Sequence, residues 1–101
     1  MGVHKVVRYV TSAESADENA RLVAAVYAEL ATTSPAGLSY ATYRLDDGVT
    51  FVHVAELSGE ENPLQSSAAF GAFQAGLGGR CVEPPVAADA VLVGSYRHAA
   101  G

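Results

Sequence analysis

The sequence predicts an α+β chain with the element order β-α-β-β-α-β. This is the ferredoxin-like arrangement, a four-stranded antiparallel sheet with two helices on one face. Three observations carry it. Two strand-like runs flank an Asp-Gly turn in mid-chain, a helical stripe separates each of them from an outer strand, and 101 residues at 50% hydrophobic content suffice for one domain over residues 1–101. A piece of doubly wound parallel sheet is excluded, because residues 38–57 read as a hairpin and a parallel pair needs a long crossover.

Val3 to Val10 mixes β-branched and aromatic residues with single polar ones and reads as the first strand. Ser15-Ala16-Asp17-Glu18 then has capping-box spacing. Behind it Leu22, Val23, Val26, Tyr27 and Leu30 recur at three and four residues, one apolar stripe on a helix of about five turns. Pro35-Ala36-Gly37 stops that helix. Leu38 to Leu45 and Val49 to Leu57 are the hairpin strands, and a polar loop follows. Phe70, Phe73 and Leu77 mark one face of a shorter helix ended by Gly78-Gly79. A loop with Cys81 and Pro84-Pro85 leads to the last strand, Ala90 to Arg97, whose Val91-Leu92-Val93 centre predicts burial on both faces.

Charge narrows the function. Eleven acidic residues against six basic ones give a net charge of −5, with no Lys/Arg cluster for a nucleic-acid or anionic-membrane surface. A single cysteine, Cys81, excludes an internal disulfide and a cysteine metal cluster. The first residues lead into only a short apolar run, so no signal peptide or membrane span is expected and the protein is read as cytoplasmic. His4, His53 and His98 lack metal-ligand spacing, and neither a metal nor a cofactor is expected. Gly76-Leu77-Gly78-Gly79 follows a helix and lacks the Lys-Ser/Thr pair of a phosphate loop.

Two helices cover one face of such a sheet, and the other should be polar in a monomer. Instead, Val49, Phe51, His53, Ala55 and Leu57 alternate with Thr50, Val52, Val54 and Glu56, so both faces are substantially apolar. A second copy of the chain is the economical cover. A βαββαβ chain of this length with a two-sided sheet resembles the dimeric α/β-barrel superfamily, and within it the antibiotic-biosynthesis-monooxygenase-like group. The resemblance rests on the run Val49–Leu57 and on Ser67–Leu77, which is similar to that group's small-x-x-Phe-x-x-Phe-x-x-x-Leu helix. It implies a homodimer packed sheet to sheet around an interior that holds small ligands. Enzymes of that group tend to use Trp, Asn or His in the pocket; here Trp is absent and no His falls within 63–77.

His53 is the one histidine inside a predicted strand. It is expected either as a base on the barrel-facing side or as a core histidine satisfied by a neighbouring hydroxyl. A two-residue turn pairs it with position 42 and sets Tyr40, Thr42 and Arg44 beside it. A three-residue Asp46-Asp47-Gly48 loop, the preferred expectation, pairs it with 41 and makes Tyr43 its neighbour. The predicted site is therefore His53 as the catalytic group, with Tyr40, Tyr43 and Phe51 against the ligand. Arg8, Arg44 and Arg97 are read as solvated or inter-subunit salt-bridge residues before anion ligands, and Cys81 beside Arg80 as a casual loop cysteine before an acidified thiol. The expected function is a cofactor-independent monooxygenase acting on a small aromatic or hydrophobic substrate. The alternatives are a non-catalytic small-molecule-binding or stress-associated barrel, and a structural dimer with a filled interior.

Overall fold

A computed structural model describes residues 3–96. The elements are β1 (Val3–Thr11), α1 (Ala16–Thr33), β2 (Leu38–Arg44), β3 (Thr50–Leu57), a 3₁₀ turn (Pro63–Ser66), α2 (Ala68–Ala75), the single turn α3 (Leu77–Arg80) and β4 (Cys81–Ala90). The strands form one antiparallel sheet in the order β2-β3-β1-β4. The helices pack on one of its faces, as the order of elements predicts. No helix among the described residues is long and apolar enough to cross a membrane.

Alternation decides which side chains go under the helices. Phe51, His53 and Leu57 of β3 are buried there with Tyr9 of β1. Val23 and Val26 of α1 and Phe73 of α2 close over them, with Leu22, Tyr27 and Leu30 only partly buried at the margin. Helix α1 starts without the expected capping box. Ser15 already has near-helical backbone angles and makes no side-chain cap, and its own N–H donates to the Ser12 hydroxyl at 3.2 Å. At α2, Ser67 is extended and its Oγ accepts from the Phe70 N–H at 3.0 Å, an effective cap.

The hairpin register differs from the three-residue loop expected. Asp47 accepts from the N–H groups of Val49 and Thr50 at 3.0 and 2.9 Å, which holds Val49 inside the turn and makes Leu45 pair with Thr50. Gly48 takes the left-handed position, φ 79°. One residue more in the turn shifts the register, so Thr42 lies opposite His53 and Arg44 opposite Phe51.

The last strand also lies earlier than expected. Cys81 and both prolines belong to β4, and residues 91–96 form no regular element. Two prolines are tolerated because β4 is an edge strand and the register slips between Arg8 and Val10, leaving Pro84 and Pro85 opposite Tyr9 alone. Val91, Leu92 and Val93 are accordingly exposed, Val93 at 99%, and not buried on both faces. Arg97 and His98 lie outside the described residues.

Candidate functional site

The apolar core encloses a continuous line of polar side chains drawn from five elements. Arg80, at the end of α3, donates from Nε to Asn19 Oδ1 at 2.9 Å and from Nη2 to the Phe73 carbonyl at 2.7 Å. Asn19, in the first turns of α1, donates from Nδ2 to the Tyr9 hydroxyl at 2.8 Å. That hydroxyl is 2.8 Å from His53 Nε2. On the other side of the ring, Nδ1 is 2.7 Å from the Tyr40 hydroxyl and 3.0 Å from Thr42 Oγ1. Thr42 in turn meets the Tyr27 hydroxyl at 2.8 Å.

The line is buried and sheathed in aromatic rings. Asn19 is 0% exposed, Tyr9 1%, His53 5% and Arg80 7%. Tyr9 stacks on Phe51 at 5.5 Å, Phe73 lies 5.3 Å from the imidazole, and Tyr27 stacks on Tyr40 at 5.3 Å. The Arg80 guanidinium sits 5.5 Å from the centre of the Phe73 ring. Gly76 leaves it room, since a Cβ there would fall 2.8 Å from Arg80 Nη1. Among the described residues no carboxylate lies within ion-pair distance of Arg80.

Burial sets the protonation states. It pushes the His53 imidazole down to about 4, so the ring is neutral at physiological pH. It raises Tyr9 to about 12, partly opposed by the Asn19 hydrogen bond, and raises Tyr40 as well, with Tyr27 adding to the effect. Both tyrosines therefore keep their protons. Nothing in the line is charged except Arg80.

Of the predicted site residues, Tyr40 and Phe51 share the face of His53, and Tyr43 points to the opposite face, half-exposed. His53 faces the helices, not the uncovered side where a barrel-facing base was expected, because it shares strand parity with Phe51 and Leu57. Both of its nitrogens are engaged by hydroxyls, the satisfied-histidine arrangement. Arg44 reaches Asp17 at 3.0 Å and Arg8 reaches Glu83 at 3.6 Å, salt bridges within the chain where solvated or inter-subunit ones were expected. Burial raises the Cys81 thiol despite Arg80 beside it, the reverse of an activated cysteine. Among the described residues no group of His, Cys, Asp or Glu is suited to a metal ion.

Sequence reasoning missed Tyr9, Asn19 and Arg80 as members of one site. Asn19 carried a signal: 19, 23, 26 and 30 follow helical spacing, so an amide occupies a core position of the α1 stripe. Arg80 carried none.

A groove of about 880 Å³ opens at the C-terminal end of α1, lined by Glu29, Leu30, Thr33 and residues 59–63 and 65–67 among others. Leu30 is shared between the groove and the core margin. A hydrogen bond from Ser67, and next the Ala69 N–H that Glu29 accepts at 3.0 Å, hold the Glu29 carboxyl below the usual range.

No family model and no curated protein matches the sequence. Solved structures do match. Rv0793 from Mycobacterium tuberculosis superposes with a TM-score of 0.74 at 17% identity, covering 94% of this chain and 98% of that one. A structure named as an antibiotic biosynthesis monooxygenase superposes with a TM-score of 0.70 at 12% identity, covering 91% of this chain and 99% of its own. The fold is that of the antibiotic biosynthesis monooxygenases. SnoaB from Streptomyces nogalater, a cofactor-independent oxygenase, shares this fold with a TM-score of 0.62 at 13% identity, covering 95% of this chain and 97% of its own. The monooxygenase ActVA-Orf6 of Streptomyces coelicolor, in complex with nanaomycin D, does so at 0.58 and 19%, covering 94% and 90%.

Proposed function

We infer that the protein is a homodimeric, cofactor-independent oxygenase of a small aromatic substrate, working in the cytoplasm. The observation that carries this is the neutral imidazole of His53 held between two tyrosine hydroxyls at 2.7 and 2.8 Å under the helices. The fold shared with SnoaB and ActVA-Orf6 gives that arrangement its chemical context. A quinol- or anthrone-type substrate that has lost its phenolic or enolic proton gives electrons to oxygen. A C–O bond forms, and the resulting peroxide takes a proton and collapses, so that a CH₂ group plus O₂ becomes C=O plus water. Each stage moves a proton at one oxygen-bearing edge of the substrate. Tyr40, at the margin of the core, meets that edge, and His53 relays the proton through it, since neither ring nitrogen is free to touch a substrate directly. Phe51 supports the imidazole through the stacked Tyr9 ring, and Tyr43 belongs to the opposite, dimer-forming face.

Dimerisation is supported by the open face of the sheet, where Val6, Val52, Val54 and Val86 lie around the Arg8–Glu83 ion pair and the His4–Glu56 contact. Oxygen consumption with a quinol- or anthrone-type substrate tests the activity. His53→Ala should lower turnover by about 10²- to 10⁴-fold with the dimer intact, and His53→Gln should do the same while filling the space. Turnover unchanged in both removes His53 from the chemistry.

One observation favours a second reading, a non-catalytic binder. The aromatic packing around His53 is dense and the 880 Å³ groove is not lined by it. A wild-type protein inert toward all such substrates, yet binding a hydrophobic ligand, would establish that reading.

A further inference from the structure

We propose that Arg80, acting through Asn19 and Tyr9, fixes the direction of the buried hydrogen bonds and holds His53 as its Nδ1–H tautomer. Arg80 is a positioning residue here, separated from any substrate by four side chains, Asn19, Tyr9, His53 and Tyr40.

The inference follows from counting donors. A guanidinium can only donate, so the Asn19 atom facing it is the amide oxygen, and the amide nitrogen must face Tyr9. The Tyr9 hydroxyl thus accepts from Asn19. It has two polar partners, Asn19 and His53, and one proton of its own, which goes to His53 Nε2. A nitrogen that accepts carries no proton in neutral imidazole, so the proton sits on Nδ1 and is given to Tyr40 or Thr42. The other tautomer would make Tyr9 accept twice and strand its own proton on a residue 1% exposed. An unsatisfied buried donor disfavours that state by about tenfold or more.

The consequence, which rests on the oxygenase reading above, concerns what the site recognises. Where Nδ1–H goes to Tyr40, the nearer acceptor at 2.7 Å, the Tyr40 hydroxyl, which also hydrogen-bonds Thr42, can turn its own proton to a ligand. The site then offers a donor to the substrate's oxygen, which selects a phenolate, an enolate or a carbonyl.

The tautomer is measured without any substrate, by two-bond ¹H–¹⁵N correlation of the histidine rings in ¹⁵N-labelled protein at neutral pH. The wild type should show His53 protonated on Nδ1 with Nε2 bare; an Nε2–H ring or an even mixture overturns the proposal. Asn19→Asp keeps the shape and reverses the polarity, because a carboxylate accepts from both Arg80 and Tyr9. Tyr9 must then accept from His53, and the ring should switch to Nε2–H. A folded Asn19→Asp protein that retains Nδ1–H also overturns it. Should that variant fail to fold, Arg80→Met decides: released from Arg80, the amide can turn over, and a measurable Nε2–H population should appear, whereas a pure Nδ1–H ring refutes Arg80 as the cause. Failure to oxygenate any quinol would sink the proposed activity and leave these outcomes untouched.

Discussion

Acidification should unfold this protein through His53 in a way that can be separated from its carboxylates. The imidazole has an ordinary value of 6.5 and is held at about 4 in the fold by burial. Above pH 6.5 the ring is neutral in both folded and unfolded states and costs nothing. Between 6.5 and 4 the unfolded chain takes up a proton that the folded one refuses, so stability falls as pH falls, by up to about 1.4 kcal/mol per pH unit. The loss over the window is about 3 kcal/mol, and below pH 4 it levels off. Glu29 and Asp47, whose carboxyls are held low by hydrogen bonds, contribute to acid sensitivity in the same sense, since their unfolded forms also take up protons that the folded forms refuse. His53→Gln cancels them, because it leaves both in place and removes only the ring. Urea unfolding of wild type and variant at intervals from pH 8 to 4, with the slope m checked for constancy, gives the difference directly. The wild type should lose about 3 kcal/mol more than His53→Gln across that range. Parallel curves would show that His53 is not buried between hydroxyls as described.

Phe73→Ala removes a ring 4% exposed that touches Tyr9, His53 and Phe70, and should cost about 3–5 kcal/mol in the same assay; a loss under about 1 kcal/mol would show α2 frayed from the sheet. Val54→Asp lies on the open face of a central strand, away from the helices, so light scattering should find a folded monomer where the wild type gives a dimer. A wild-type mass near 10 kDa at micromolar concentration refutes the dimer. Tyr40→Phe should lower oxygenase turnover by about 10²-fold or more at unchanged fold, and normal turnover would remove Tyr40 as the contact to the substrate.

Element order, the α1 stripe and the hairpin were legible because each depends on periodicity or turn chemistry within a few residues. Asp46-Asp47-Gly48 announced the turn, yet not its length: whether Val49 joins the turn depends on the Asp47 carboxylate capturing two backbone N–H groups, a choice invisible in composition. The last strand was misplaced because prolines read as breakers, and only its position at the sheet edge, opposite a slipped register, lets Pro84 and Pro85 belong to β4.

The sequence by itself determined a β-α-β-β-α-β sheet, the shared face of His53 with a tyrosine, and a second sheet face with a substantial apolar share. These follow from local propensity and from the period of two along a strand. Tertiary structure alone decided that His53 lies under the helices and that Asn19 and Arg80, 61 residues apart, meet to polarise Tyr9. Such contacts join elements distant in sequence, and their geometry exists only once α1 and α3 have docked on the sheet and excluded water from the line between them.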